Sequence, residues 1–253
     1  MKLIQSTKNE NVKRWKKLLT KKGRQKSGQF LIEGEHLVEE AHQSGLIQEL
    51  IVREQYTVKK LEQLTSLYPT YVISRNVEKV ISDTETPQGI FAVCRKFPEQ
   101  EDVNGNRFLL IDQVQDPGNI GTMIRTADAA GIDMVILGEG CADLYNPKVL
   151  RAAQGSHFHI PVQKGDLGVW IEKLHQRGIP VYGTALEGAE MMTEVQPGGS
   201  FALIVGNEGQ GVSERLLQRT TKNLFLPTHG ECEPLNVAVA PALLLYYSPR
   251  VNR

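Results

Sequence analysis

The chain has 253 residues, 40% hydrophobic and 23% charged, which is material for one large domain or two ordinary ones with a substantial core. Net charge is zero, yet residues 2–26 hold ten Lys or Arg against the single acid Glu10, and the remainder holds nineteen against twenty-eight acids. No apolar run approaches the ~18 residues that span a bilayer, and Cys94, Cys141 and Cys232 are too few and too scattered for a disulfide framework, so a cytoplasmic protein is expected.

Residues 1–28 read as a basic arm that closes at Ser27-Gly28. Within it, helical spacing gathers Trp15, Leu18 and Leu19 on one face and cations on the other. Lys13, Arg14, Lys16, Lys17, Lys21, Lys22 and Arg24 are therefore the candidate phosphate contacts, and a nucleic acid is the expected polyanionic partner. The plainer reading is a solvated helix; a membrane surface is disfavoured because the apolar face is small.

Residues 29–97 read as a small α/β unit. Strands are predicted at 30–32, 49–52, 71–73 and 90–93, and helices at 35–44, 58–67 and 76–81. Residues 98–106 have no hydrophobic period and are read as a linker. From 107 to 253, short apolar strands at 108–111, 134–137, 159–162, 180–183, 201–205 and 223–226 alternate with helices near 120–130, 147–154, 168–176 and 212–218. An apolar helix over 237–247 follows. This βαβ alternation predicts a mainly parallel sheet with helices on both faces. Asn146-Pro147 is an N-cap followed by proline at the first helical position.

Three strands run into loops rich in glycine and polar residues, at 116–127, 206–211 and 226–236. Strand ends of an α/β sheet are where ligand crevices form. Gly206-x-x-Gly209-x-Gly211 is not the dinucleotide fingerprint, and neither a P-loop nor a nucleophile elbow occurs. His157, His159, His229 and Cys232 do not make a recognised metal set, so no metal is expected.

Asn119-x-Gly121-x-x-x-Arg125-Thr126-Ala127, then Gly206-x-Glu208-Gly209-x-Gly211, then Leu226-Pro227 with Leu235-Asn236, resemble the three motifs of the SpoU (TrmH-type) branch of the SPOUT RNA 2′-O-ribose methyltransferases. Phe30-x-Ile32-Glu33-Gly34 heads a segment similar to the L30e-like substrate-binding domain of many members. The resemblance implies a deep trefoil knot in the C-terminal domain, S-adenosylmethionine as cofactor, and a homodimer that completes each site. It implies a structured RNA as substrate, rRNA before tRNA, and no membrane partner.

Carried over by position, cofactor contacts fall on Gly206, Leu226 and Leu235, with Thr184 a fourth candidate. Arg125 matches the family's essential arginine; a guanidinium is too basic to act readily as the base, so it is assigned the phosphate beside the target ribose. Its structural alternative is an i,i+3 pair with Asp128. Asn119 is read as the cap of a helix beginning at Ile120 that also orients Arg125. Glu208 either accepts the hydroxyl proton or fixes its loop; Asn236 either caps the last helix or meets Glu208 and cofactor. Pro234 stands where the family usually has Ser, and Pro241 falls inside the expected last helix, where an interior proline costs about 3 kcal/mol. A kinked helix and a disturbed third motif are thus expected, and with them an alternative function: an RNA-binding protein of this fold with weak or lost catalysis.

Overall fold

The structure, a computed structural model, describes residues 3–56, 61–98, 105–186, 188–192, 198–227 and 237–247. Pro234, Leu235 and Asn236 lie outside the described residues, as does the start of the helix expected at 58–67. In chain order come β1 (Leu3–Ile4), α1 (Glu10–Leu18), α2 (Lys21–Ser27), β2 (Gln29–Glu33), α3 (Glu35–Gln43), β3 (Ile47–Arg53), α4 (Leu61–Leu67), β4 (Thr70–Ile73), α5 (Arg75–Ile81) and β5 (Ile90–Arg95). Their sheet runs β1-β4-β3-β5-β2, with β5 antiparallel to both neighbours and the other pairs parallel.

Residues 3–28 are built into this unit and do not form a separate arm. Leu3 and Ile4 pair with Val72 and Ile73. Val12 and Trp15 of α1 are fully buried and Leu18 nearly so, because the apolar face seen in the sequence docks on the sheet. Trp15 meets Tyr71 edge-on, and its indole N–H donates to Glu49 at 3.2 Å. Thr20 caps α2 by accepting from the Gly23 N–H at 3.1 Å, and a Cβ on Gly23 would lie 1.9 Å from the Lys17 carbonyl oxygen, so only glycine fits the corner.

The chain continues through β6 (Arg107–Ile111), α6 (Pro117–Ala129), β7 (Met134–Leu137), α7 (Pro147–Ala153), α8 (Ser156–His159), β8 (Val162–Lys164), α9 (Leu167–Gln176), β9 (Val181–Thr184), β10 (Glu190–Met191), β11 (Phe201–Val205), α10 (Glu214–Leu217), β12 (Lys222–Phe225) and α11 (Val239–Tyr247). The second sheet has the order β10-β12-β9-β11-β6-β7-β8, with every pairing parallel. β6, β7 and β11 are buried at every position, as a parallel strand covered on both faces must be.

Two compact units result: residues 1–98 with 145–158, and residues 99–144 with 159–253. The segment 145–158 thus packs with the first unit although the sequence reading places it in the C-terminal domain. Leu150 joins the core of Phe30, Leu37 and Leu50, and the Tyr145 hydroxyl accepts from the Phe97 N–H at 3.1 Å. The strand expected at 159–162 is corrected: Ser156–His159 is a helical turn, held where Phe158 stacks among Phe30 and Phe97, and β8 begins only after Pro161. The kinked last helix is corrected too. α11 opens at Val239, so Pro241 sits in its first turn, where a backbone N–H has no intrahelical partner to lose. Among the described residues no helix is long and apolar enough to cross a membrane.

Candidate active site

The parallel register brings β12, β9, β11 and β6 side by side with their C-terminal ends level. Thr184 pairs with Leu224, Ile204 with Gly183, and Val205 with Ile111. Gly206, Thr184 and Leu226 therefore leave three neighbouring strands at one edge, within about 10 Å of each other at ~4.8 Å per strand. This edge is where a doubly covered parallel sheet takes a ligand. The Thr184 hydroxyl donates to the Ile204 carbonyl at 3.2 Å, and Leu226 is half-buried.

From β6 the chain passes Asp112 and Gln113 to α6. Asp116 caps this helix, its carboxylate accepting from the Asn119 N–H at 2.9 Å, and Pro117 takes the first helical position. Asn119 is consequently not the cap. Freed from that task, its side-chain amide donates to Glu208 Oε1 at 3.0 Å rather than orienting Arg125. This bond joins positions 89 residues apart and unites the first two motifs. Arg125, two turns further along α6, is exposed and makes no hydrogen bond or ion pair among the described residues. Its expected i,i+3 partner Asp128 turns instead to His159 Nδ1, at 2.9 Å.

The loop itself requires glycine at position 206. A Cβ there would lie 2.0 Å from the Gly211 carbonyl carbon, so its lack of a side chain serves closure of the loop on itself. Asn207 and Gly211 exchange two backbone hydrogen bonds, at 2.9 and 3.0 Å, and Gly211 adopts φ +70°. Asn207 and Asp112, which sequence reasoning passed over, shape this loop; the only sequence signal for them is a polar residue just past each buried strand.

The donor set at the edge consists of backbone groups, the Thr184 hydroxyl and the Glu208 carboxylate. It suits an uncharged adenosine edge and a nearby sulfonium cation, so the residues present fit S-adenosylmethionine. No group of three or more possible metal ligands occurs among the described residues. Burial raises the thiol pKa values of Cys94 and Cys141, which disfavours the thiolate at both.

In the first unit the seven candidate cations separate. Lys16, Lys17, Lys21 and Lys22 are exposed and make no salt bridge among the described residues, though Lys17 lies near enough to Glu10 to help lower its carboxyl pKa. Lys13 pairs with Glu10 and Arg14 with Glu49, each at 2.7 Å. Arg24 must be withdrawn as a phosphate contact. It is 2% exposed, and its guanidinium donates to the Leu18 carbonyl at 2.8 Å, closing the turn between α1 and α2.

Comparison with known proteins agrees with this layout. Residues 106–246 match the SpoU rRNA methylase family, and residues 9–92 the MRM3-like substrate-binding domain. The 23S rRNA (guanosine(2553)-2'-O)-methyltransferase RlmP of Bacillus subtilis is 52% identical over 98% of this chain and 99% of its own length. An uncharacterised tRNA/rRNA methyltransferase of Synechocystis is 32% identical over 98% of this chain and 93% of its own. Among solved structures, the AdoMet-bound rRNA methyltransferase of Sinorhizobium meliloti superimposes with a TM-score of 0.88 at 27% identity, covering 97% of this chain and 96% of that one. The AdoMet complex of AviRb from Streptomyces viridochromogenes gives 0.85 at 26% identity, over 95% and 97%.

Proposed function

Because the chain belongs to the SpoU rRNA methylase family, we propose that it transfers a methyl group from S-adenosylmethionine to the ribose 2′-hydroxyl of a guanosine in 23S rRNA. The reading rests above all on the 52% identity that runs along 98% of the chain to an enzyme named for that reaction. Bound S-adenosylmethionine supplies an electrophilic methyl on a sulfonium. The protein must then align the ribose oxygen and take its proton as the O–C bond forms. Alignment of this kind lowers a barrier by ~7–11 kcal/mol. Arg125, exposed and without a competing partner among the described residues, grips the phosphate beside that ribose. Glu208 is held through Oε1 by Asn119, which leaves Oε2 to accept the hydroxyl proton. Thr184, Gly206 and Leu226 line the adenosine; the roles of Leu235 as a further cofactor contact and of Asn236 as a partner of Glu208 and cofactor are carried over from the family motif alone.

Lys16, Lys17, Lys21 and Lys22 of the first unit meet further phosphates of the rRNA. The protein acts in the cytoplasm as a homodimer with a knotted C-terminal domain. For the dimer, α11 offers Val239, Leu243 and Tyr246, an exposed apolar stripe at four- and three-residue spacing on a helix that packs against α6. RNA binding with weak or lost catalysis is not favoured, since Pro241 lies in a first turn and the likeness to a methyltransferase spans the chain.

Incubating the protein with methyl-labelled S-adenosylmethionine and unmodified 23S rRNA tests the reading. Label should appear in one guanosine whose 3′ linkage resists alkali. Label confined to tRNA, or to a base, would overturn it.

A further inference from the structure

We infer that Asp112 and Asn207 are positioning residues for methyl transfer: between them they clamp the 206–213 loop to the end of β6 and so fix the backbone that faces the methyl donor. The inference rests on reading that loop as part of the donor site. Asp112 holds both ends of the loop. Its backbone N–H donates to the Val205 carbonyl at 2.8 Å, and its carboxylate Oδ2 accepts from the Ser213 N–H at 2.8 Å. The side chain is buried, with the residue 2% exposed, so this bond is shielded from competing water.

Asn207 holds the middle. Its Nδ2 donates to the Gln113 carbonyl at 2.9 Å, while Oδ1 accepts from the N–H groups of Gly209 at 2.9 Å and Gln210 at 3.2 Å. One amide is thus used as donor and acceptor together, which an ionised aspartate cannot reproduce. Gln113 reaches this partner in the left-handed region, at φ +56°, a conformation rare for a residue with a side chain. Its contribution is a carbonyl, so its side chain is dispensable. Glu208 lies inside the clamped loop and meets Asn119 across it. Displacement of the loop would therefore move the donor surface and Glu208 together.

The test is calorimetric binding of S-adenosylhomocysteine to the full-length protein, alongside the thermal midpoint and the steady-state KM for the methyl donor. Asn207→Asp, which sets a carboxylate against the Gln113 carbonyl, and Asp112→Ala should each weaken binding by about tenfold or more. Each should raise the donor KM by a similar factor and, because Glu208 moves with the loop, lower kcat at saturating donor as well. Gln113→Gly and Asp112→Asn keep the carbonyl and an accepting oxygen, so both should bind within about threefold of the parent. Unchanged binding in Asn207→Asp and Asp112→Ala overturns the proposal, and so does an equal loss in Asp112→Asn. If Asn207→Asp does not fold, the contrast between the two Asp112 variants decides. Failure of the parent protein to bind S-adenosylhomocysteine would instead bring down the donor-site reading.

Discussion

Arg125 separates function from structure more sharply than any other position. It lies on the exposed face of α6 and makes no hydrogen bond or ion pair among the described residues, while Ile120, Met123, Ile124 and Ala127 carry the packing of that helix. Arg125→Ala takes nothing from the buried core and removes no hydrogen bond among the described residues, and alanine is at least as good a helix former. The expected stability change is therefore within about 0.5 kcal/mol, or under about 2 °C for a chain of this size. Against RNA the account differs. Two charge-assisted hydrogen bonds to a phosphate are worth roughly 1.5–3 kcal/mol each. At 1.36 kcal/mol per tenfold, their loss in the transition state slows methyl transfer by about 10² to 10⁴.

The assay is single-turnover transfer of labelled methyl to 23S rRNA, with scanning calorimetry on the same preparations. Arg125→Lys keeps the charge but not the planar fork, and should regain no more than about tenfold of the lost rate. Transfer by Arg125→Ala within about threefold of the parent rate would refute the phosphate assignment. A midpoint lowered by more than about 4 °C would mean that the side chain stabilises the fold, contrary to its exposure.

Other outcomes follow from the same geometry. Arg24→Ala should cost roughly 2 kcal/mol or more by stranding the buried Leu18 carbonyl and leave the salt dependence of RNA binding unchanged, whereas alanine at Lys16, Lys17, Lys21 and Lys22 should leave the melt alone and flatten that dependence by about one unit for each phosphate no longer neutralised; a filter-binding salt titration separates them. Pro241→Ala should shift stability by less than about 1 kcal/mol, because the proline occupies a first turn, and a gain near 3 kcal/mol in a denaturant melt would show an interior kink after all. Burial raises the Cys94 thiol above its ordinary value of 9.0, so the folded protein keeps a proton that the unfolded chain loses. Its contribution is complete below pH 9 and declines as pH rises beyond; Cys94→Ala should flatten that decline in urea melts between pH 8 and 10.5, and an unaltered slope would exclude the thiol as its source.

How much could be read in advance depended on the range over which each residue acts. β6, β7 and β11 are continuous apolar runs because parallel strands are covered on both faces, and a run of four or five such residues is visible locally. The cap of α6 was visible as well, since Asp116-Pro117 carries the same signal as Asn146-Pro147; the Gly-rich stretch after it drew attention to Asn119 instead. Docking is another matter. The face of Trp15 and Leu18 shows that α1 packs, but not that it packs on a sheet whose strands lie some 10 to 80 residues away, and a buried Arg24 is compositionally identical to an exposed one. The clamp on the 206–213 loop lies furthest from view. Asp112 and Ser213 are 101 residues apart, so their bond exists only once β6 and β11 have paired. The motif residues are thus legible as chemistry, while the residues that hold them in place are legible only as geometry. A substitution at Asp112 or Asn207 should then be felt at Glu208 even though neither residue takes part in the reaction itself.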